Sequence, residues 1–489
     1  MLDKYNIREN HTTLQVTIDK DETSYTDVYK LSIPKISEAT LAYVDSIKTD
    51  LLKDITISKT EILDESKMDV LKQYLHSEAT KRQKSFMPDA DEDTLCYVSC
   101  TIVRDMLGLG EIEFLLADEN LEEICVNGAQ FAIWVYHKKH GWLKTNLKPK
   151  SEMEIRNYSA SIGRRVGRQI TVQDPLLDAH LITGDRVNAT LSPISAFGNT
   201  ITIRKFARKP WTVVDLIKNG TLDFESTAFL WMCLQYELNL IVSGGTGSGK
   251  TSFLNSLSSF FPPNQRTISI EQTREIVLPK YLQWVPLVIR EATGEGKGQV
   301  GMLDLMINSL RMRPDRIIVG EVRSSDEAQV LFEAMHTGHS VYATMHAETA
   351  YESLRRLTNK PIDIPSVVLG SLHLIAVMYR DRRSGIRRLF EVVELLPTER
   401  KEDMSIRFLY KWRPFKDTIS TSENSVRCFD TIKTFTRMDE DAIKRDLAEK
   451  EQILRWLVKN DVNDVDKFGA QIGEYYFDKE AFLKKLKIK

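Results

Sequence analysis

Residues Gly244-Gly245-Thr246-Gly247-Ser248-Gly249-Lys250-Thr251 follow an apolar run, Leu238 to Val242, and precede a segment whose Phe253, Leu254, Leu257, Phe260 and Phe261 share one helical face. Strand, glycine-rich turn and amphipathic helix are the context that the phosphate-binding pattern G-x-x-x-x-G-K-[ST] requires. Glycines let successive backbone N–H groups turn toward phosphate oxygens, and the start of the helix adds unpaired amides and the positive end of its dipole. A glycine turn that merely caps a helix is the competing reading, and the flanking strand and helix weigh against it. Gly244, Gly245, Thr246, Gly247, Ser248, Gly249, Lys250, Thr251 and Ser252 are therefore the candidate nucleotide-binding residues. Lys250 is placed to reach the β and γ phosphates, and the Thr251 hydroxyl to ligate Mg²⁺.

Downstream, two further strands end in carboxylates. Thr267-Ile268-Ser269-Ile270-Glu271 is a β run that delivers Glu271 to the carboxyl end of a strand, the side on which α/β sheets bind ligands. Arg316-Ile317-Ile318-Val319-Gly320-Glu321 does the same with Glu321, where Gly320 stands in place of the usual Asp, so that Glu321 serves the metal, the water or both. A helix from Met302 is expected to end before Pro314. The Gly-rich stretch Gly294 to Gly301 reads as a loop. His336 and His339 lie at i, i+3, but without a third ligand nearby in sequence they suit phosphate sensing or core packing better than zinc. Ile375–Tyr379 and Arg388–Leu395 flank Asp381-Arg-Arg-Ser-Gly385 and read as a hairpin with a basic tip. A strand over Phe408–Trp412 and amphipathic helices from Asp439 onward close the chain.

Upstream, Ser37–Ile55 and Glu65–Lys84 have helical patterning, with Ser37 placed as a cap and Pro88-Asp-Ala-Asp-Glu-Asp as an acidic connector. Thr94 to Phe206 is mixed: a helix through Val103, Met106 and Leu107, short strand-like runs at Glu123–Val126 and Phe131–Tyr136, a helix over Glu152–Val166, then runs at Ile170–Val172, Arg186–Leu191 and Thr200–Phe206. An arginine on a strand, such as Arg186 or Arg204, is by itself most simply a solvated or salt-bridged side chain. Arg208-Lys209-Pro210-Trp211-Thr212 breaks the pattern and reads as a linker.

The chain is 489 residues long, which points to two or three domains. Its 67 basic and 69 acidic residues nearly cancel, so no global charge draws it to nucleic acid or an anionic membrane. No apolar run approaches the roughly 18 residues of a membrane-spanning helix, and the polar N-terminus lacks the apolar core of a secretory signal. A cytoplasmic location is expected. Five cysteines without a C-x-x-C pair indicate neither a disulfide framework nor a four-thiolate zinc site; Cys96 and Cys100 lie one helical turn apart and read as buried thiols.

GGTGSGKT at 244–251, TISIEQTREI at 267–276, RPDRIIVGEVR at 313–323 and TGHSVYATMHA at 337–347 resemble, in order and spacing, the P-loop, acidic box, atypical Walker B and histidine box of the secretion ATPases. That superfamily powers type II and type IV secretion, type IV pili and the archaellum. The resemblance extends upstream through LGEIEFLLADENLEEICVNG at 109–128, DPLLDAHLITGDRVNATL at 174–191 and ITIRKF at 201–206, and the tail looks like the archaeal branch. It implies an α/β chain: a variable, partly helical extension (1–93), a small α/β domain (94–206), a linker (207–212) and a RecA-like ATPase domain with C-terminal helices (213–489). It further implies a homo-hexamer binding ATP and Mg²⁺, and a membrane platform protein as partner with no nucleic acid. Glu271 would polarise the attacking water and Glu321 support Mg²⁺ beside Thr251. His339 and His346 would act near the γ-phosphate, and Arg186 and Arg204 would reach the phosphates from the N-terminal domain. Two departures stand out. Gln272 replaces an Asp common after the first Glu of the acidic box, which keeps a poorly hydrolysing regulatory subunit in view. The four-cysteine zinc insert of many bacterial relatives is absent, so no metal besides Mg²⁺ is expected. A ring translocase on nucleic acid is the remaining alternative.

Overall fold

The computed structural model describes residues 1–9, 12–21, 25–34, 36–54, 65–87, 90–181, 184–206, 209–290, 298–397 and 404–488. The chain divides into two compact units that meet in sequence at Arg208 and Lys209. Residues 294–297 of the expected loop at 294–301, and Pro88 and Asp89 of the acidic connector, lie outside the described residues.

The first unit is built on nine strands: β1 (Asp3–Glu9), β2 (Thr12–Asp19), β3 (Val28–Ser32), β4 (Leu121–Asn127), β5 (Trp134–His137), β6 (Gly141–Thr145), β7 (Leu176–His180), β8 (Arg186–Thr190) and β9 (Thr200–Arg204). They lie in the order β1-β2-β3-β6-β5-β4-β9-β8-β7. Pairing is antiparallel except between β3 and β6. The first three strands were not foreseen in a segment read as partly helical, although Leu14, Val16 and Ile18 alternate inward against Thr13, Gln15 and Thr17, the period of a half-buried strand. The two helices read there are present as α1 (Glu38–Asp54) and α2 (Glu65–Phe86), followed by α3 (Glu92–Leu107). Thr40 N–H donates to Ser37 Oγ at 3.1 Å, the expected cap.

Ile170–Val172 is not a strand. Thr171 N–H instead donates to the Asp174 carbonyl at 3.0 Å and Asp174 N–H to Thr171 Oγ1 at 3.0 Å, closing a turn before Pro175, so that β7 takes the place beside β8.

The second unit carries β10 (Leu240–Gly244), β11 (Arg266–Glu271), β12 (Gln283–Val288), β13 (Arg316–Val319), β14 (Ser340–Met345), β15 (Leu374–Arg380), β16 (Arg387–Pro397), β17 (Met404–Arg413) and β18 (Thr418–Thr421). Their order is β12-β11-β13-β14-β10-β15-β16-β17-β18. The strands from β12 to β15 run parallel and the rest of the sheet is antiparallel. All five residues of β10 are buried, as a strand covered on both faces requires. Leu240 and Val242 enter one apolar core and Ile241 the other, so the sheet separates two helical layers. This is the RecA-like α/β architecture expected of the domain. β14 is inserted between β10 and β13, an order that no local pattern announces.

Candidate active site

Because β10, β11, β13 and β14 are parallel, all four present their carboxyl ends along one edge of the sheet. β10 runs into the glycine turn. Gly244, Gly247 and Gly249 have φ of 152°, 70° and 90°, values that side chains rarely adopt. A Cβ on Gly244 would stand 2.4 Å from the Met378 carbonyl oxygen and 2.5 Å from Ser248 Oγ. The helix Lys250–Ser258 begins at Gly249 with no side-chain cap, whereas Asp223, Ser324 and Thr349 cap their helices. Its first amides are thus left to an anion. Ser248 Oγ is buried with no hydrogen-bond partner. Backbone shape, open helix start and orphaned hydroxyl together fit a phosphate chain.

Lys250 is 8% exposed. Its Nζ donates to the Gly244 and Gly245 carbonyls at 3.1 Å each and stands 3.3 Å from His346 Nδ1. An ammonium can only donate, so His346 accepts at Nδ1 and carries its proton on Nε2. Nε2 lies 3.0 Å from Glu321 Oε1. Burial, then the Lys250 charge, hold the His346 pKa below its ordinary value, consistent with a neutral ring. Burial likewise lowers the pKa of Lys250. Glu321 Oε2 accepts from Arg323 Nη2 at 2.6 Å, and Arg323 Nη1 donates to Gln272 Oε1 at 2.7 Å. A continuous polar chain, Lys250–His346–Glu321–Arg323–Gln272, thus follows the strand order β10-β14-β13-β11 along the sheet edge.

Glu271 closes β11 and is 1% exposed. Its Oε1 accepts from the Glu275 and Ile276 amides at 2.9 and 3.0 Å, while Oε2 is buried with no partner. Burial raises its pKa to about 7, against the pull of those two amides. A carboxyl that titrates near neutrality and keeps one oxygen unpaired is suited to accept a proton. Gly320 packs its backbone against Glu271: a Cβ there would lie 3.4 Å from Glu271 Cγ, an ordinary contact distance.

A profile of the type II/IV secretion system protein family matches residues 109–378, more than half of the chain. The chain belongs to the type II/IV secretion system protein family. A Methanocaldococcus jannaschii relative, MJ0900, is 34% identical over 79% of this chain and 70% of its own length. The type IV secretion system protein PtlH of Bordetella pertussis is 29% identical over 56% of this chain and 89% of its own. The Legionella pneumophila ATPase DotB, a solved structure, is 18% identical over 76% of this chain and 92% of its own, with a TM-score of 0.41.

Not every residue expected at the site of this secretion family member lies there. His346 follows the last residue of β14, but His339 precedes its first residue at the opposite edge of the sheet, about 20 Å away at ~3.3 Å per residue. There its Nδ1 stands 3.1 Å from Thr337 Oγ1 and 3.2 Å from the Ala334 carbonyl. Arg186 and Arg204 are in the first unit, directly paired across β8 and β9, and Arg186 forks onto Asp178 at 2.7 and 3.2 Å. Thr251 and Ser252 open the helix that follows the glycine turn.

Two arginines that the sequence reading passed over do reach the site. Arg387 Nε donates to the Gly247 carbonyl at 3.1 Å, and the Arg380 guanidinium crowds the position a Gly247 Cβ would take, at 2.6 Å. Both flank the tip of the β15–β16 hairpin. The signal was the density of arginine in Arg380-Asp381-Arg382-Arg383-Ser384-Gly385-Ile386-Arg387-Arg388, read only as a basic tip.

Proposed function

We propose that this chain is a ring-forming motor ATPase. It hydrolyses ATP to ADP and phosphate as a homo-hexamer at the cytoplasmic face of a membrane. The resulting motion passes to a polytopic platform protein that assembles a type IV pilus-like or archaellum filament, or secretes protein. The observation that carries the reading is the unbroken chain from Lys250 to Gln272 beside the neutral-range carboxyl of Glu271.

In this reading the glycine-turn amides, Ser248 and Lys250 hold the phosphates, with Arg380 and Arg387 adding positive charge from the hairpin. Glu271 takes the proton of the attacking water at Oε2. Thr251 and Glu321 would hold Mg²⁺, which supplies charge neutralisation on the transferred phosphoryl group. His346 couples Lys250 to Glu321, so that a shift at either end is felt by the other. Arg186 and Arg204, supplied by a first unit, stabilise transition-state charge, a role worth about 10³- to 10⁵-fold in rate. His339 has no part at this edge.

A poorly hydrolysing regulatory subunit is the second reading, favoured by the burial of Glu271 and the uncharged Gln272. Steady-state turnover of Mg²⁺-ATP against protein concentration separates the two. A motor gives specific activity that rises with concentration and falls by at least ~10²-fold in Glu321→Gln and Arg204→Ala. Flat, near-zero turnover in the wild type with ATP binding intact, unchanged by a platform partner, selects the regulatory subunit.

A further inference from the structure

Away from the nucleotide site, one group of side chains among the described residues has the composition of a soft-metal centre. His76 lies on α2, and Cys96 and Cys100 on the facing α3. Cys96 Sγ stands 3.8 Å from His76 Nε2, and the ligand atoms of all three lie within 4.8 Å of one another. A tetrahedral zinc with Zn–S of about 2.3 Å and Zn–N of about 2.0 Å holds its ligands roughly 3.5–4 Å apart. Side-chain rotation alone can close the widest pair by that margin.

We propose that His76, Cys96 and Cys100 form a Zn²⁺ site that joins α2 to α3, with solvent at the fourth position. The spacing excludes the obvious rival. Side chains at i and i+4 on a helix have Cβ atoms about 5–6 Å apart, beyond the roughly 3.5–4.5 Å a disulfide needs, yet suited to converge on one metal. Two thiolates and an imidazole select zinc over hard cations such as Mg²⁺. Binding releases two thiol protons to solvent and leaves a centre in which two thiolates balance the dication.

The surroundings fit. Cys100 is 6% exposed. The Glu9 carboxylate lies near the Cys100 thiol. Arg104, 3.3 Å from Glu9, balances that carboxylate. Beside the cluster, Thr80 Oγ1 and the Gln83 amide each meet Ser99 Oγ at 2.8 Å, which sets the register of the two helices. The need is also visible. Among the described residues, the apolar cluster joining α1, α2 and α3 has Val44, Ile47, Leu51, Leu75, Ala79, Val98 and Ile102 buried, with Tyr43, Leu71, Val103, Met106 and Leu107 partly buried against them, a cluster small enough to gain from a cross-link.

The test uses the full-length, reduced and chelator-stripped chain titrated with Co²⁺ and with Zn²⁺. One equivalent of Co²⁺ should produce a thiolate-to-cobalt charge-transfer band with tetrahedral d–d intensity, displaced by Zn²⁺. His76→Ala, Cys96→Ser and Cys100→Ser should each weaken binding by at least ~10-fold, whereas Cys125→Ser should not. A measurement that needs no variant is alkylation followed by mass spectrometry: Zn²⁺ should protect Cys96 and Cys100 and leave Cys125 labelling unchanged. No thiolate band, a Co²⁺ affinity unchanged by loss of either cysteine, or no protection by Zn²⁺ overturns the site. None of these readings depends on ATP turnover.

Discussion

Glu271 carries two demands that pull in opposite directions. A proton acceptor must be ionised, yet its burial favours the neutral acid, and the compromise is a pKa of about 7 rather than the ordinary 4.5. Turnover should therefore rise as pH climbs through about 7, and Glu271→Gln should abolish the rise while lowering the rate by about 10²- to 10⁴-fold. Stability should move the other way. The raised pKa means that the contribution of the neutral carboxyl is fully present below about pH 4.5 and is lost as pH rises through about 7. Thermal melts of Glu271→Gln against the wild type should thus show an advantage for the glutamine that grows between these limits and then levels off. Gln272 poses the complementary question. Its carbonyl accepts the Arg323 hydrogen bond that a carboxylate would accept with charge. Gln272→Glu should draw Arg323 away from Glu321. Single-turnover rates that stay unchanged would show that the polar chain ends at Arg323.

Elements hold these residues in place. Gly244 cannot be replaced cheaply, because its φ of 152° and the Met378 carbonyl both oppose a side chain. Gly244→Ala should cost about 1–3 kcal/mol in urea unfolding and weaken nucleotide binding with it. The other end of the P-loop helix is anchored by the C-terminal helices. Trp231 stacks on Phe260 with centroids 4.7 Å apart, and its indole N–H donates to Tyr476 Oη, which in turn donates to the Phe260 carbonyl. Beneath Trp231, fully buried Lys450 pairs with Asp446 at 2.5 Å and with Tyr475 Oη at 3.2 Å. Removing one partner of a buried pair leaves the other charge stranded, so Lys450→Met should destabilise by about 3–5 kcal/mol. The lower end is expected, since Lys479 stands 3.6 Å from Asp446 and can take up part of the charge. Equilibrium unfolding followed by tryptophan fluorescence reads this directly.

At the scale of the molecule, two sheets of nine strands make two units of one chain. Arg186 and Arg204 belong to one and the P-loop to the other, so their proposed partnership is a statement about assembly rather than about the fold of either unit. Mixing Arg204→Ala with Lys250→Ala chains should restore part of the turnover that each lacks alone, if the arginine is supplied by a neighbouring subunit. Mixtures no more active than the separate variants would confine it to its own chain. No helix among the described residues is long and apolar enough to cross a membrane.

The amino-acid order alone determined the glycine turn between strand and helix, the carboxylates at two strand ends and the α/β class, because each is written in neighbouring residues: glycine for positive φ, β-branched runs for buried strands, helical spacing for amphipathic faces. The sheet order was decided by tertiary structure. It sets β14 between β10 and β13 and so puts His346, rather than His339, between Lys250 and Glu321. Tertiary packing also brought Arg380 and Arg387 onto the glycine turn, buried Glu271 until its acidity moved toward neutrality, drew β1 to β3 into the first sheet, and set His76 beside two cysteines about 20 positions away. All of these depend on contacts between residues far apart in sequence, where pairing and burial, not local periodicity, select the arrangement.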